Sequence, residues 1–522
     1  MDMTKHQNEK PAIGEGSDDS ASVTGAQPLF DQVLRKRYNF TTLITMFLCV
    51  SAGWECIVSN LFQSLVTGGP TALVWGFFIS ATASQAMAFS LAELARQVVF
   101  PSMMPTVAGQ YHWAMRLSPP KYSRQVGWYS AWILVFMTAV ASVTATLIVG
   151  MQIQSMAVIA YPNTYDPERW HVFAILALTQ FIALTINVFR PRMLHYLSIM
   201  ATVLHFLGFF LITVILLVMT KEKNSAKMVF ATPLNNSGWK SDGLTFLIGI
   251  LPTTAAFMSI DNPARFTEET EFPLMDVPRA MVWGVAGGSF LTFPFILVIA
   301  FCMGEPQDLL KSPIVHLNPL AQIIINSTGS EAAAMGLCSI IVVIAFVVAV
   351  DQTAAISRLI MAQARDGGIP FNEIFSRVSP RWNVPIPALI FSAIIQLVFG
   401  SIYTANQVAY FGISSGTITL QALSYCIPVA LHIWARNKHG MSYGPWNMGR
   451  WSRVVNMYAV GSYAFLFIIM CFPQQFPVNT MNMNYAIVIT GGVLILSMIL
   501  YYAWGRKNFS GHIIGVLDAS LA

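Results

Sequence analysis

From residue 40 onward the chain alternates between continuously apolar stretches and short polar connections. Each stretch is about 20 residues long, the length a helix needs to cross the hydrocarbon core of a bilayer. They run over 40–63, 71–94, 127–150, 170–188, 195–219, 244–264, 280–303, 332–360, 386–402, 407–433, 455–473 and 484–504, which predicts twelve membrane-spanning helices. Strands of a membrane β-barrel would show short alternating segments instead. Residues 1–39 are polar, rich in Ser, Gly, Asp and Lys, and lack the apolar core of a signal peptide. They read as a disordered cytosolic tail, and residues 505–522 as a second one.

Composition narrows the class further. Of the 522 residues 55% are hydrophobic and 10% charged, and the mean hydropathy is +0.58. Soluble domains carry about 25% charged residues. A water-soluble enzyme, a disordered chain and a fibrous one are therefore excluded. The net charge of +5 says little, but its placement says more. With the N-terminus inside, 23 of the 29 Lys and Arg fall in cytosolic segments, and Arg169, Lys221, Lys223, Lys227, Lys240 and Lys311 fall outside. The positive-inside rule then puts both termini in the cytosol. All six cysteines lie inside apolar runs, so no disulfide framework and no cysteine metal site is expected. Sequons at Asn235 and Asn326 fall in loops assigned outside and are candidate glycosylation sites, chance occurrence being the alternative; one at Asn508 falls inside.

Two of the apolar stretches are interrupted. The first reads Cys49-Val50-Ser51-Ala52-Gly53-Trp54-Glu55-Cys56, small residues followed by an aromatic and a carboxylate halfway across. The sixth reads Leu251-Pro252-Thr253-Thr254, then Phe257-Met258-Ser259-Ile260-Asp261-Asn262-Pro263. Discontinuous helices free main-chain amides and carbonyls at mid-membrane, where a transporter holds its substrate and ions. A tolerated proline kink is the plainer alternative. Breaks five helices apart fit two five-helix repeats of inverted topology.

The stretch 257–270, with Val277-Pro278-Arg279-Ala280, resembles the sixth-helix signature of fungal amino-acid, GABA and choline permeases of the amino acid–polyamine–organocation superfamily. Further matches follow in order: Trp54-Glu55, Gly68-Gly69-Pro70, Glu93-Leu94-Ala95, the run from Pro105 to Trp113, the run from Ser237 to Gly243, Ser357-Arg358-Leu359 and the run from Ala364 to Phe371. The resemblance implies an all-α polytopic membrane protein with the leucine-transporter-like fold. That fold has five plus five inverted helices, broken helices 1 and 6, and two extra helices. Repeat one would span about 40–219, repeat two about 244–433 and the extra helices about 455–504. Two departures stand out. The family usually has Gly where Ser259 stands and often His where Arg265 stands.

Ionisable groups within membrane spans are functional candidates by default. Glu55 suits a cationic amine, and the alternative is a helix–helix hydrogen bond. Asp261 could hold the substrate ammonium, or be neutralised by Arg265 one turn on. The expected substrate site is thus Ser51, Ala52, Gly53, Trp54 and Glu55 with Met258, Ser259, Ile260 and Asp261, Trp54 closing over the ligand. Asp351, with Gln352 and Thr353 in the eighth span, and His205 in the fifth are candidates for ion or proton coupling. For each, a buried helix contact is the alternative. Arg365-Asp366 and Glu268-Glu269, at inner helix ends, read as gate or loop-anchoring ion pairs. Tyr111-His112-Trp113 reads as a short inner-loop helix.

No phosphate-binding loop, zinc-protease motif, nucleophile elbow or nucleic-acid patch occurs, so no cofactor, metal, catalysis or nucleic-acid partner is expected. The expectation is a secondary transporter, in the plasma membrane, importing a small amine or amino acid (an amino acid, γ-aminobutyrate or a choline-like compound) by alternating access coupled to H⁺, with Na⁺ as the alternative ion. An exchanger, an exporter of a specialised metabolite and a non-transporting receptor are the alternatives.

Overall fold

The computed structural model describes residues 38–95, 109–405, 409–436, 448–480 and 482–510. All but the last two residues of the predicted N-terminal tail lie outside these, as do 511–522 and the 105–108 part of the inner-loop signature.

The first helix, α1 (Phe40–Ser51), begins where the Asn39 side chain caps the amide of Thr42 at 3.0 Å. The same stretch continues, after joints at Ala52 and Asn60, as α2 (Gly53–Ser59) and α3 (Leu61–Val66). Next come α4 (Gly69–Ala95), a short α5 (Gly109–Leu117), α6 (Pro120–Ala160), α7 (Arg169–Phe189), α8 (Met193–Met219) and a one-turn α9 (Ala226–Ala231). The sixth predicted span follows in pieces: α10 (Asp242–Ile248), α11 (Leu251–Ala255), an irregular turn, and a 3-10 helix over Asn262–Glu269. The rest is α12 (Pro273–Cys302), α13 (Pro306–Leu309), α14 (Pro319–Thr328), α15 (Glu331–Arg365), α16 (Asn372–Phe375), α17 (Ile386–Ala405), α18 (Ala409–Arg436), α19 (Ser452–Ile469) and α20 (Ala486–Leu500).

Eleven helical stretches among the described residues are long and apolar enough to cross a membrane. They coincide with eleven of the twelve predicted spans, with ends moved by a few residues in most. The exceptions have a physical reason. At 41 residues α6 is about 60 Å long and runs well past its apolar centre. The sixth span is not one helix, because Gly249, Pro252 and the 256–261 turn interrupt its ladder.

The buried axis of the bundle is α6, packed along α15 and α18. Helices α7, α8 and α20 turn broad apolar faces outward, with Phe181, Phe210, Val218 and Leu496 exposed. A helix in lipid can do this because all its main-chain groups are paired internally. Polar side chains inside the bundle are tied across helices. Glu93 on α4 accepts from Ser452 Oγ on α19 at 2.7 Å, and Gln396 on α17 accepts from both Ser142 on α6 and Gln180 on α7. Two-residue strands, Thr67–Gly68 and Leu234–Asn235, pair antiparallel at the mouth of the first span.

Candidate functional site between two helix breaks

Both breaks are built the same way. Ala52 ends α1 in the left-handed region at φ 41°, and Ser259 sits at φ 63° in the turn after α11. Non-glycine residues adopt this conformation rarely and at a cost, so the surrounding structure must hold it. The small residues seen in the sequence permit the first break. At Gly53 the approach of α12 leaves no room for a Cβ, which would collide with the Thr292 hydroxyl. Gly53→Ala should therefore lower the melting temperature of the detergent-purified protein by several degrees, the usual overpacking effect of about 1–3 kcal/mol. Adding Thr292→Ala should recover most of the loss. A Gly53→Ala protein as stable as the parent would refute the close approach.

A cavity of about 40 Å3 lies between the breaks. Its walls are Val50, Ala52, Glu55, Cys56 and Ser59 from the first span, Met258 and Ser259 from the sixth, and apolar side chains of α6 and α15, with Thr144 and Gln352 among them. That is room for roughly two or three water molecules, so the walls must part to admit an amino acid.

Glu55 is the one charged group in this lining. Its Oε1 lies 2.6 Å from Nδ1 of His205 on α8, a short charge-assisted contact, and its Oε2 has no hydrogen-bond partner. Both residues are buried. His205 stands immediately behind the cavity wall, joined to it through Glu55.

The other predicted residues divide. Ala52, Met258 and Ser259 line the cavity with Glu55; Ser51, Gly53, Trp54, Ile260 and Asp261 are adjacent in the chain but do not. Trp54, expected to close over a ligand, turns the other way. Its indole N–H donates to the His205 carbonyl at 3.2 Å, its ring packs on Phe295 at 4.9 Å, and Gly208 leaves space for it. Asp261 is fully engaged: Arg265 donates from Nε and Nη2 at 3.0 Å each, and Tyr425 on α18 donates at 2.6 Å. Asp351 accepts from Ser198 of α8 at 2.9 Å through Oδ2, while its buried Oδ1 has no partner. Ser198 and His205 are seven residues apart on α8, so Asp351 and Glu55 meet the same face of that helix, two turns apart.

Sequence reasoning missed Ser59, Thr144 and Tyr425, and noticed Gln352 only as a neighbour of Asp351. The polar run Asp351-Gln352-Thr353 inside an apolar span was the available signal for Gln352. Nothing along the chain announces Tyr425, whose partner lies 164 residues away.

The C-terminal half of α15 and the loop after it carry ion pairs. Glu269 meets Arg358 at 2.6 Å, Glu268 meets Arg365 at 3.4 Å, and Asp366 accepts from Tyr111 at 2.9 Å beside His112 at 2.8 Å. Burial, then the Asp366 carboxylate, holds the Tyr111 phenol well above its ordinary pKa, so it stays a neutral donor. Of the candidate glycosylation sites, Asn235 is exposed at a strand end with its amide donating to the Trp239 carbonyl, and Asn326 is exposed inside α14. The six cysteines are unpaired.

Residues 38–493 match the amino acid permease family. The chain belongs to that family. Relatives of this permease include a protein of Macrophomina phaseolina named as an amino acid/polyamine transporter, 30% identical over 85% of this chain and 96% of its own length. The choline transporter of Saccharomyces cerevisiae is 28% identical over 91% of the permease and 83% of its own length. Amino-acid permease 2 of Neurospora crassa is 28% identical over 95% and 89%. The permease is thus a multi-pass, mostly helical membrane protein of a transporter family, with amino acid and choline transporters among its named relatives.

Proposed function

We propose that this permease imports a small amine-bearing solute, in first place a zwitterionic amino acid, by alternating access coupled to protons. In this reading the twelve spans form two inverted five-helix repeats plus two extra helices, with both termini in the cytosol and the plasma membrane as host. The observation that carries it is Glu55: a carboxylate facing the cavity between two broken helices, one oxygen against His205 and the other unpartnered.

The charge balance favours a ligand with a cationic group. With His205 neutral and donating, Glu55 brings a whole negative charge into a low-dielectric site, at a cost of several kcal/mol. A substrate ammonium on Oε2 offsets that cost. Of the main chain around Ser51, Ala52 and Gly53, and around Met258, Ser259 and Ile260, the Ala52 and Met258 amides are tied to the Leu48 and Ala255 carbonyls, which leaves those of Gly53, Ser259 and Ile260 as the donors for a substrate carboxylate. A zwitterion alone leaves the closed site at one negative charge. A zwitterion with one proton on His205 leaves it neutral, and the neutral form is the one that crosses a bilayer most cheaply. That is the physical case for a proton moving with the substrate, and Asp351, two turns along α8, is the second group able to carry one.

Uptake of a radiolabelled panel of amino acids, γ-aminobutyrate and choline in permease-deficient cells, with and without an uncoupler, tests the reading. Accumulation of at least one compound that the uncoupler abolishes supports it; binding without accumulation would make the chain a receptor. His205→Ala should flatten the pH profile. In the parent, accumulation falls as external pH rises toward that of the cytosol, because the proton gradient shrinks. In the variant the gradient is no longer harvested, and uptake only equilibrates. A variant keeping the full pH dependence clears His205 of the role.

A further inference from the structure

Between the cavity and the inner ends of the helices, α15 and the 259–269 segment are joined at three successive levels. Nearest the cavity, Gln352 Nε2 donates to Ser259 Oγ at 3.1 Å, and both residues are in the cavity wall. The same side chain accepts from Arg265 Nη1 through Oε1 at 3.0 Å. Six residues along α15, Arg358 pairs with Glu269 at 2.6 Å and lies 5.0 Å over the Phe266 ring. Seven further on, Arg365 reaches Glu268 at 3.4 Å.

The three levels differ in strength. The inner two are carboxylate–guanidinium pairs. The one at the cavity is a single neutral amide serving two masters, its oxygen held by Arg265 and its nitrogen by Ser259. Arg265 is 1% exposed, so the N–H that meets Gln352 has no water to fall back on. Its remaining bonds go to Asp261, at the start of the same 3-10 helix that carries Glu268 and Glu269. Arg265 lies in that 3-10 helix itself, so a displacement of the Gln352 amide is passed to the segment from which both ion pairs hang. A ligand polar group in a cavity this small meets Gln352 and Ser259 directly, and the amide cannot serve it while keeping both existing bonds.

We propose that Gln352 is the positioning residue that holds the inner side of the site shut from within the cavity. A ligand that draws its amide away from Ser259 and Arg265 loosens the first level and, through the 3-10 helix, the two ion pairs beyond. This rests on the transport reading for its purpose, and for its test on the membrane orientation given there and not on transport itself. The serine at 259 is what makes the arrangement possible, since a glycine there would offer Gln352 no hydroxyl.

The test uses the full chain with Thr267→Cys, a buried position in the 3-10 helix between Arg265 and Glu268. Inside-out membrane vesicles are treated with a membrane-impermeant maleimide without any amine, and labelling is read against the parent with its six native cysteines. Adding Gln352→Met, which keeps the volume and removes the amide, should speed labelling about five-fold, the population shift that loss of one buried hydrogen bond brings. Gln352→Glu keeps the acceptor for Arg265 and turns a guanidinium–amide bond into a stronger guanidinium–carboxylate pair, so its labelling should be slower than with Gln352. Equal rates for Gln352→Met and Gln352, or a Gln352→Glu rate at or above that of Gln352, would overturn the proposal. The Glu variant decides alone should the Met variant fail to reach the membrane. Because no amine is present, a negative uptake panel leaves this result intact, and a negative labelling result leaves the transport reading intact.

Discussion

Glu55→Gln should reduce uptake at least about 100-fold while leaving membrane delivery intact. The magnitude follows from what the change removes. Truncating one partner of a desolvated charge pair costs about 2–5 kcal/mol, and every 1.4 kcal/mol is tenfold. The fold should survive, because a glutamine oxygen can still accept from His205 where Glu55 Oε1 does at 2.6 Å. What disappears is the negative charge of a side chain that lines the cavity and whose Oε2 has no hydrogen-bond partner. Uptake normalised to the amount of permease at the cell surface separates this from misfolding, and Glu55→Asp, which keeps the charge but shortens the reach, should fall in between. Normal transport by Glu55→Gln would remove the carboxylate from substrate recognition and take the proposed mechanism with it.

The spans and the breaks were legible in the sequence for the same reason: a bilayer interior allows no unpaired main chain, so apolar length and its interruptions both show in the composition. The Pro252 and Gly53 neighbourhoods advertised broken helices, and the structure has Ala52 and Ser259 in left-handed backbone at those points. Orientation about each helix axis was not legible. A span that is apolar on every side has no polar face to say which way it points, so periodicity could not tell that Trp54 packs on Phe295 while Glu55, its neighbour, lines the cavity. Long-range partners were equally hidden. Asp261 and Arg265 announced their i,i+4 pairing, but Tyr425, Gln352 and the cavity's use of Ser59 depend on helices brought together only by folding. The two sequence readings of Asp261, as ammonium ligand and as Arg265's counter-ion, therefore need an experiment that separates them.

Asp261→Ala supplies the first half. It strips Arg265 of the acceptors at Nε and Nη2 and leaves a guanidinium, 1% exposed, held by Gln352. Removing one partner of a buried ion pair costs about 3–5 kcal/mol, because the survivor keeps its desolvation penalty with nothing to offset it. Asp261→Ala should accordingly be retained inside the cell and, once solubilised, run as aggregate in size-exclusion chromatography. Arg265→Met added to it removes the orphaned charge and fills its space with an apolar chain, a replacement that is often neutral or stabilising. The double variant should recover a monodisperse peak and surface delivery. Its transport then decides between the readings. If Asp261 serves Arg265, the double variant still transports, with an amine KM moved by no more than about five-fold, the worth of the one Arg265–Gln352 hydrogen bond it also removes. If Asp261 holds the ammonium, the double variant folds and reaches the surface but moves nothing. Tyr425, left without an acceptor in both variants, adds a cost of about 1–3 kcal/mol that Tyr425→Phe would remove. The triple variant is therefore the cleanest protein on which to measure that KM.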